Sequence, residues 1–111
     1  MISYVKGDCL QPIGEGLKVI THICNNQGAW GRGFVVALSE RWARPEKMYR
    51  HLFSGHPEVT RPVLGDLQFV AVEPDIFVCN MIAQNGLPSA TNPHPLDYDA
   101  LQTCLMRLTL R

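Results

Sequence analysis

The chain has 111 residues, and its ten basic and ten acidic side chains cancel at pH 7. This length predicts a single domain, 1–111, and the apolar fraction of 46% predicts a folded chain rather than a disordered one. The neutral balance argues against binding of duplex nucleic acid, and no apolar run approaches the roughly 20 residues that a membrane span needs.

Apolar periodicity predicts the order strand, strand, helix, helix, strand, strand, helix. The strands are expected at 2–6, 19–24, 67–72 and 76–82, with the last two joined antiparallel by the tight turn at 73–75. This order is typical of an α/β layered fold with a mixed central sheet flanked by helices.

The helices are predicted from apolar spacing and from punctuating residues. The first begins at Phe34, and the second begins near Pro45 and stops before Gly55. Asp97 is a candidate N-cap for the last helix. The residues expected on the buried face of that helix are Tyr98, Leu101, Cys104, Leu105 and Leu108.

A glycine-rich loop follows the second strand and leads directly into the first helix. Three glycines, Gly28, Gly31 and Gly33, let the backbone approach a ligand, and the N–H groups at a helix start attract anions. A pyrophosphate fits this pattern, although it matches neither the Walker A motif nor the dinucleotide fingerprint. A tight turn without a ligand is the alternative reading.

Other candidate binding residues lie near the same expected sheet edge. Asp8 follows the first strand. A carboxylate at this position can accept a hydrogen bond from an exocyclic amine of a ligand, or it can have a purely structural role as a loop or cap aspartate. Asn25 and Asn26 suit ribose hydroxyls or turn geometry. Trp30 can stack on a ligand or anchor the loop in the protein. Arg32 can bind a phosphate or can simply be exposed to solvent.

The histidines and cysteines do not form a recognisable metal motif. His22 lies inside a predicted strand and is expected to be a packed core residue, whereas the other histidines are expected at the surface: His51, His56 and His94. The four cysteines are far apart, so we expect neither a zinc site nor a disulfide framework. With no secretory signal pattern at the start of the chain, a cytoplasmic location is expected.

Taken together, 4–8, 22–34 and the later segments resemble the macrodomain family, in the version of its terminal ADP-ribose glycohydrolase-like members. The resemblance implies ADP-ribose binding without a cofactor. Adenine would contact Asp8 and Cys9, the diphosphate would contact Gly31, Arg32, Gly33 and Phe34, and the distal ribose would contact Asn25, Asn26 and Gln84.

Two departures from the family bear on catalysis. Ala83 and Gln84 stand where glycohydrolase-type members carry a lysine nucleophile, so a Schiff-base route is closed. The family also continues past the position of Arg111 with a strand, a second phosphate loop and a helix. We therefore expect a C-terminally truncated macrodomain whose catalytic residues, if it has any, are unknown.

Three functions remain open from the sequence. The leading one is binding of ADP-ribose, free or carried by a small molecule or protein. The second is hydrolysis of ADP-ribose phosphate or acyl esters, or removal of ADP-ribose from proteins. The third is an inactive remnant that forms a homodimer through an exposed sheet edge.

Overall fold

The computed structural model describes residues 2–6, 16–31 and 33–109. Its seven elements confirm the predicted order. The strands are β1 (Ile2–Lys6), β2 (Leu17–Asn25), β3 (Leu67–Glu73) and β4 (Ile76–Gln84), and the helices are α1 (Phe34–Arg41), α2 (Arg44–His51) and α3 (Tyr98–Thr109).

The strands form one mixed sheet in the order β1-β2-β4-β3. β1, β2 and β4 run parallel, and β3 pairs antiparallel with β4 as the turn at 73–75 predicts. The two central strands are buried along most of their length because both of their faces are covered. Ile20, Val78 and Ile82 are fully buried there.

Helices lie on both faces of the sheet and divide the core in two. On one face, Leu38 of α1 and Tyr49 of α2 pack against Ile20 and Val78. On the other face, the buried residues of α3 pack against Val19 and several residues of β4. This arrangement confirms the predicted α/β layered fold.

Asp97 is the N-cap of α3, as predicted, because its Oδ1 accepts from the backbone N–H of Ala100 at 2.9 Å. The predicted buried face is wrong in two places, since Tyr98 is 76% exposed and Leu105 is 46% exposed. The helix buries Cys104 and Leu108, as predicted, and also the small Ala100, which the prediction did not include.

The buried face of α3 differs from the prediction because α3 approaches the sheet closely. The backbone N–H of Asp97 donates to the carbonyl of Ala83 on β4 at 2.8 Å, which fixes the start of the helix against that strand. Small side chains therefore face the sheet, while hydropathy alone favours the larger residues. Among the described residues, no helix combines the length and apolar character needed to cross a bilayer.

Candidate functional site

β2 and β4 end together at one edge of the sheet. Asn25 pairs with Gln84 in the strand register, and the N–H of Asn26 donates to the carbonyl of Gln84 at 3.0 Å. The glycine-rich loop and Gln84 therefore meet at the carboxyl ends of parallel strands, as predicted. Three further predicted site residues lie outside the described residues: Asp8, Cys9 and Arg32.

A cleft of about 810 Å³ opens at this edge, and we call it the main cleft. Its volume falls within the range of small-molecule sites, roughly 300–1,000 Å³. The sequence-predicted residues that line it are Asn25, Gly31, Gly33, Phe34 and Gln84. The main cleft thus brings the described diphosphate candidates and two of the three ribose candidates to one surface.

Two glycines leave the loop backbone open toward the main cleft. A Cβ added at Gly33 would meet no atom within 4 Å, and one added at Gly31 would contact only Val35, at 3.7 Å. Gly33 is the N-cap of α1 and supplies no side-chain hydrogen bond, and the first turn has no acidic residue. The helix start can therefore accept an anion from outside the chain.

Gly28 has a different role in the same loop. Its φ is +81°, and an added Cβ would lie 2.8 Å from a ring carbon of Phe53. Both facts require glycine, because side chains rarely adopt this φ and Phe53 already fills the space. Gly28 shapes the loop, whereas Gly31 and Gly33 keep its surface free.

The side chain of Asn25 is used inside the loop. Its Oδ1 accepts from the backbone N–H groups of Gln27 and Ala29, at 2.9 and 3.2 Å, and from the hydroxyl of Tyr49 at 2.9 Å. Its Nδ2 donates to the carbonyl of Ala29 at 2.6 Å. The turn reading of Asn25, which the sequence left open, is therefore present in the structure.

Asn26 and Gln84 tie the loop to the segment after β4. The Oδ1 of Asn26 accepts from the N–H of Gly86 at 2.9 Å, and its Nδ2 donates to the Oδ1 of Asn85 at 3.1 Å. Gln84 donates to the carbonyl of Gly86 at 3.1 Å. These bonds join the glycine-rich loop to the segment after β4, at the place where the two strands end.

Trp30 anchors the loop to the helices. Its Nε1 donates to Ser39 Oγ at 2.7 Å, and that hydroxyl donates to Glu46 at 2.9 Å. The indole packs against the rings of His22 and Tyr49, each with a centroid distance of 5.4 Å, and is only 8% exposed. The sequence allowed two roles for Trp30, stacking on a ligand or anchoring the loop, and the contacts in the structure are those of a loop anchor.

His22 belongs to a buried polar network that sequence reasoning missed. Its Nε2 lies 2.5 Å from Asn80 Oδ1, while Asn80 Nδ2 donates to Gln68 Oε1 and to the carbonyl of Pro45. Because the amide of Asn80 donates on its other side, Nε2 of His22 is the protonated ring nitrogen. Burial lowers the pKa of His22 below its usual value, so the predicted core histidine is confirmed.

We expect the free energy of unfolding to fall as the pH is lowered below about 6.5, the usual histidine pKa. In that range the unfolded chain takes up a proton on His22 while the folded protein resists it. The contribution is complete above the usual pKa and is lost as the pH falls toward the lowered pKa of the folded state.

Urea unfolding measured from about pH 7.5 to 5 tests this expectation, with His22→Gln as the variant that removes the histidine. The difference in unfolding free energy between the wild type and His22→Gln should shrink on acidification. The exposed His94→Gln serves as the control and should follow the wild-type profile. If the difference in unfolding free energy between the wild type and His22→Gln did not change with pH, the lowered pKa of His22 would be contradicted.

The described residues of the cleft do not contain an activated nucleophile. Burial raises the pKa of the Cys24 thiol, which keeps the sulfur protonated and unreactive. Ala83 is fully buried at the end of β4. Within residues 16–31 and 33–109, no group of three or more side chains is placed to hold a metal ion.

Solved structures similar to this chain share its fold over nearly its whole length. A protein of unknown function from Bacteroides thetaiotaomicron is 48% identical with a TM-score of 0.80, and the alignment covers 99% of this chain and 69% of that one. A macrodomain protein from Streptomyces coelicolor is 44% identical with a TM-score of 0.78, covering 97% of this chain and 68% of that one.

Curated relatives match a shorter part of the chain. An ADP-ribose 1″-phosphate phosphatase from Saccharomyces cerevisiae is 40% identical over 48 residues, which is 43% of this chain and 27% of the yeast protein. The chain therefore matches about a quarter of that relative's length. No family model matches the chain.

Proposed function

We propose that this chain, which belongs to the macrodomain family, binds ADP-ribose or a close derivative in the main cleft. The observation that carries the proposal is the open backbone at Gly31 and Gly33, beside the uncapped start of α1. A diphosphate placed there accepts N–H donors and interacts favourably with the helix dipole.

The remaining assignments follow the family resemblance. Adenine is assigned to Asp8 and Cys9, and Arg32 joins the loop glycines and Phe34 at the diphosphate. The distal ribose is assigned to the strand ends at Asn25, Asn26 and Gln84. Because the amide of Asn25 is engaged within the loop, Asn25 acts mainly by positioning the loop. Gln84 lines the cleft, and since its Nε2 donates to Gly86, its Oε1 is the atom assigned to the ribose.

The test of the proposed function is the melting temperature measured with increasing ADP-ribose. A ligand that binds only the folded state raises the free energy of unfolding, by about 2.7 kcal/mol when its concentration is a hundred times Kd. The melting temperature therefore rises with ligand concentration. ADP-ribose should produce this rise, while ribose alone should not. An unchanged melting temperature at millimolar ADP-ribose would contradict the proposal.

Asp8→Ala should weaken binding of adenine-containing ligands more than binding of ribose 5-phosphate. The physical reason is that a carboxylate accepts from the exocyclic amine of adenine, and one lost charge-assisted hydrogen bond reduces affinity by about tenfold or more. Calorimetric titration with both ligands measures the two effects. An equal loss for both ligands would assign the aspartate a structural role.

A second candidate function is hydrolysis of ADP-ribose derivatives, because curated relatives are named ADP-ribose 1″-phosphate phosphatases. Chromatography of ADP-ribose 1″-phosphate and O-acetyl-ADP-ribose after incubation with the protein distinguishes a hydrolase from a binding module. Release of phosphate or acetate that depends on Gly33 would favour the hydrolase.

Cleavage of glutamate-linked ADP-ribose is expected to be negligible. Ala83 and Gln84 occupy the strand end where a lysine nucleophile would be needed, and neither side chain can form a covalent bond to the ribose carbon. Incubation with an ADP-ribosylated glutamate peptide, followed by mass spectrometry, measures the release. Turnover comparable to that of a lysine-containing relative would overturn this expectation.

A further inference from the structure

A closed path of hydrogen bonds joins the glycine-rich loop to α1 and α2. Trp30 Nε1 donates to Ser39 Oγ at 2.7 Å, and the Ser39 hydroxyl donates to Glu46 Oε1 at 2.9 Å. The other carboxylate oxygen of Glu46 accepts from Arg50 Nε at 2.9 Å. The path then returns to the loop, because Nη1 of Arg50 donates to the carbonyl of Gly28 at 3.4 Å. We call these four bonds the loop network.

The chemistry of the side chains fixes the direction of each bond in the loop network. An indole N–H only donates, so the Ser39 oxygen accepts from Trp30 and its own proton needs another acceptor. The guanidinium of Arg50 also only donates. Glu46 therefore receives donors from both sides, and its two carboxylate oxygens satisfy them both. A glutamine has a single acceptor oxygen, so at this position it would leave one of the two donors without an acceptor.

Glu46 is ionised at neutral pH and contributes little to global stability. Hydrogen bonds from Arg50 and Ser39 hold the pKa of its carboxyl below the usual value. Glu46 and Arg50 form an i,i+4 pair on α2, and the Arg50 side chain is 54% exposed. Exposed pairs of this kind add little to the free energy of unfolding. Loss of the Glu46 carboxylate should therefore affect the loop more than the unfolding of the whole domain.

The loop network holds the loop beside its open glycines. Gly31 follows Trp30 directly, and it is one of the two positions where the backbone is open toward the main cleft. Trp30 lines the main cleft, whereas Ser39, Glu46 and Arg50 are not among the described residues that line it. A loop already fixed in its binding shape loses less conformational freedom when a ligand binds, and this raises affinity.

We propose that Glu46 is a positioning residue for diphosphate binding, which acts through Ser39 and Arg50 without touching the ligand. Its carboxylate holds the loop in the shape that presents the backbone of Gly31 to the main cleft. This inference rests on the proposed function, since it takes the diphosphate to lie at the loop. The sign of the effect is diagnostic, because the ligand is anionic. Removal of a carboxylate that had no positioning role would leave binding unchanged or strengthen it, whereas removal of Glu46 should weaken binding.

The test is calorimetric titration of the wild type and Glu46→Gln with ADP-ribose. The affinity of Glu46→Gln should be about fivefold or more below that of the wild type, because its loop has to be ordered when the ligand binds. The urea concentration at the midpoint of unfolding should stay close to the wild-type value. Glu40→Gln is the matched control, since Glu40 is an exposed glutamate on α1 that takes part in none of the four described ion pairs. It removes the same charge and should leave the affinity unchanged or slightly raised.

Two variants of Ser39 test the same path without a change of charge. Ser39→Ala removes the hydroxyl between Trp30 and Glu46 and should weaken ADP-ribose binding by a similar factor. Ser39→Thr keeps a hydroxyl and should restore most of the affinity. In the double variant Ser39→Ala/Glu46→Gln, the loss should be smaller than the two single losses predict together, because both substitutions break one path.

The indole N–H of Trp30 gives a signal that does not depend on the ligand. Its exchange with solvent, followed by NMR of the ¹⁵N-labelled protein, reports how firmly the loop is held. Exchange should be faster in Ser39→Ala and in Glu46→Gln than in the wild type. Glu40→Gln should exchange at the wild-type rate, since Glu40 is not part of the loop network.

The outcomes separate this inference from the function on which it rests. Absence of saturable ADP-ribose binding by the wild type would overturn the proposed function, and the positioning role with it. Wild-type or higher affinity in a folded Glu46→Gln protein would overturn the positioning role alone. An indole exchange rate in Glu46→Gln equal to that of the wild type would also overturn it, because the carboxylate would then not hold Trp30.

Discussion

Gly33→Val is expected to abolish measurable ADP-ribose binding while leaving the protein folded. The added side chain enters open space, because a Cβ at Gly33 meets no atom within 4 Å. That same space is where a diphosphate would approach the start of α1. Losing two charge-assisted hydrogen bonds would weaken binding by about a hundredfold or more.

Calorimetry measures the affinity, and urea unfolding measures the remaining stability of Gly33→Val. Its stability should fall by no more than about 1 kcal/mol, since valine is a poor N-cap residue. Ala37→Val is the matched control, because Ala37 is exposed on the same helix and lies outside the main cleft. A folded Gly33→Val protein that binds like the control would refute the loop assignment.

Asn25→Ala is expected to lower the free energy of unfolding by about 2–4 kcal/mol, the cost of leaving several buried partners unpaired. The substitution removes the acceptor used by the backbone N–H groups of Gln27 and Ala29, together with the donor to the Ala29 carbonyl, whereas the Tyr49 hydroxyl keeps its bond to the Asn25 backbone carbonyl at 2.7 Å. The side chain is 6% exposed, so water cannot readily replace it. Binding should also weaken, because the loop loses its fixed shape.

Urea unfolding followed by tryptophan fluorescence measures this effect, and Trp30 in the loop gives a local signal. Asn85→Ala is the control, since that exposed amide accepts a single bond from Asn26. Tyr49→Phe removes only the hydroxyl that reaches Asn25 and should lower stability by about 1 kcal/mol. If Asn25→Ala unfolds at the wild-type urea concentration, the loop does not depend on this amide.

The sequence carries the order of the elements because each strand and helix has its own local pattern. The apolar run of β2, the tight turn at 73–75 and the capping residue Asp97 all act over a few residues, and all three predictions are confirmed. The meeting of Asn25 and Gln84 follows from a general property of parallel strands, whose carboxyl ends share one edge.

The sequence could not predict contacts between side chains that are distant along the chain. Asn80 pairs with His22 across 58 residues, and its only local signal is an amide within an apolar strand. Likewise, the bond between Trp30 and Ser39 decides that the indole anchors the loop. The predicted buried face of α3 was partly wrong because α3 lies so close to β4 that the small Ala100 is buried and Leu105 is exposed. The hydropathy pattern of a helix carries no information about how closely the helix approaches the sheet.

Isothermal titration of the wild-type chain with ADP-ribose, ADP and ribose 5-phosphate tests the central claim most directly. We expect a single saturable site per chain, with ADP-ribose bound more tightly than either fragment because only the intact ligand spans the loop and the strand ends. Absence of saturable heat with ADP-ribose, or equal affinity for all three ligands, would contradict it.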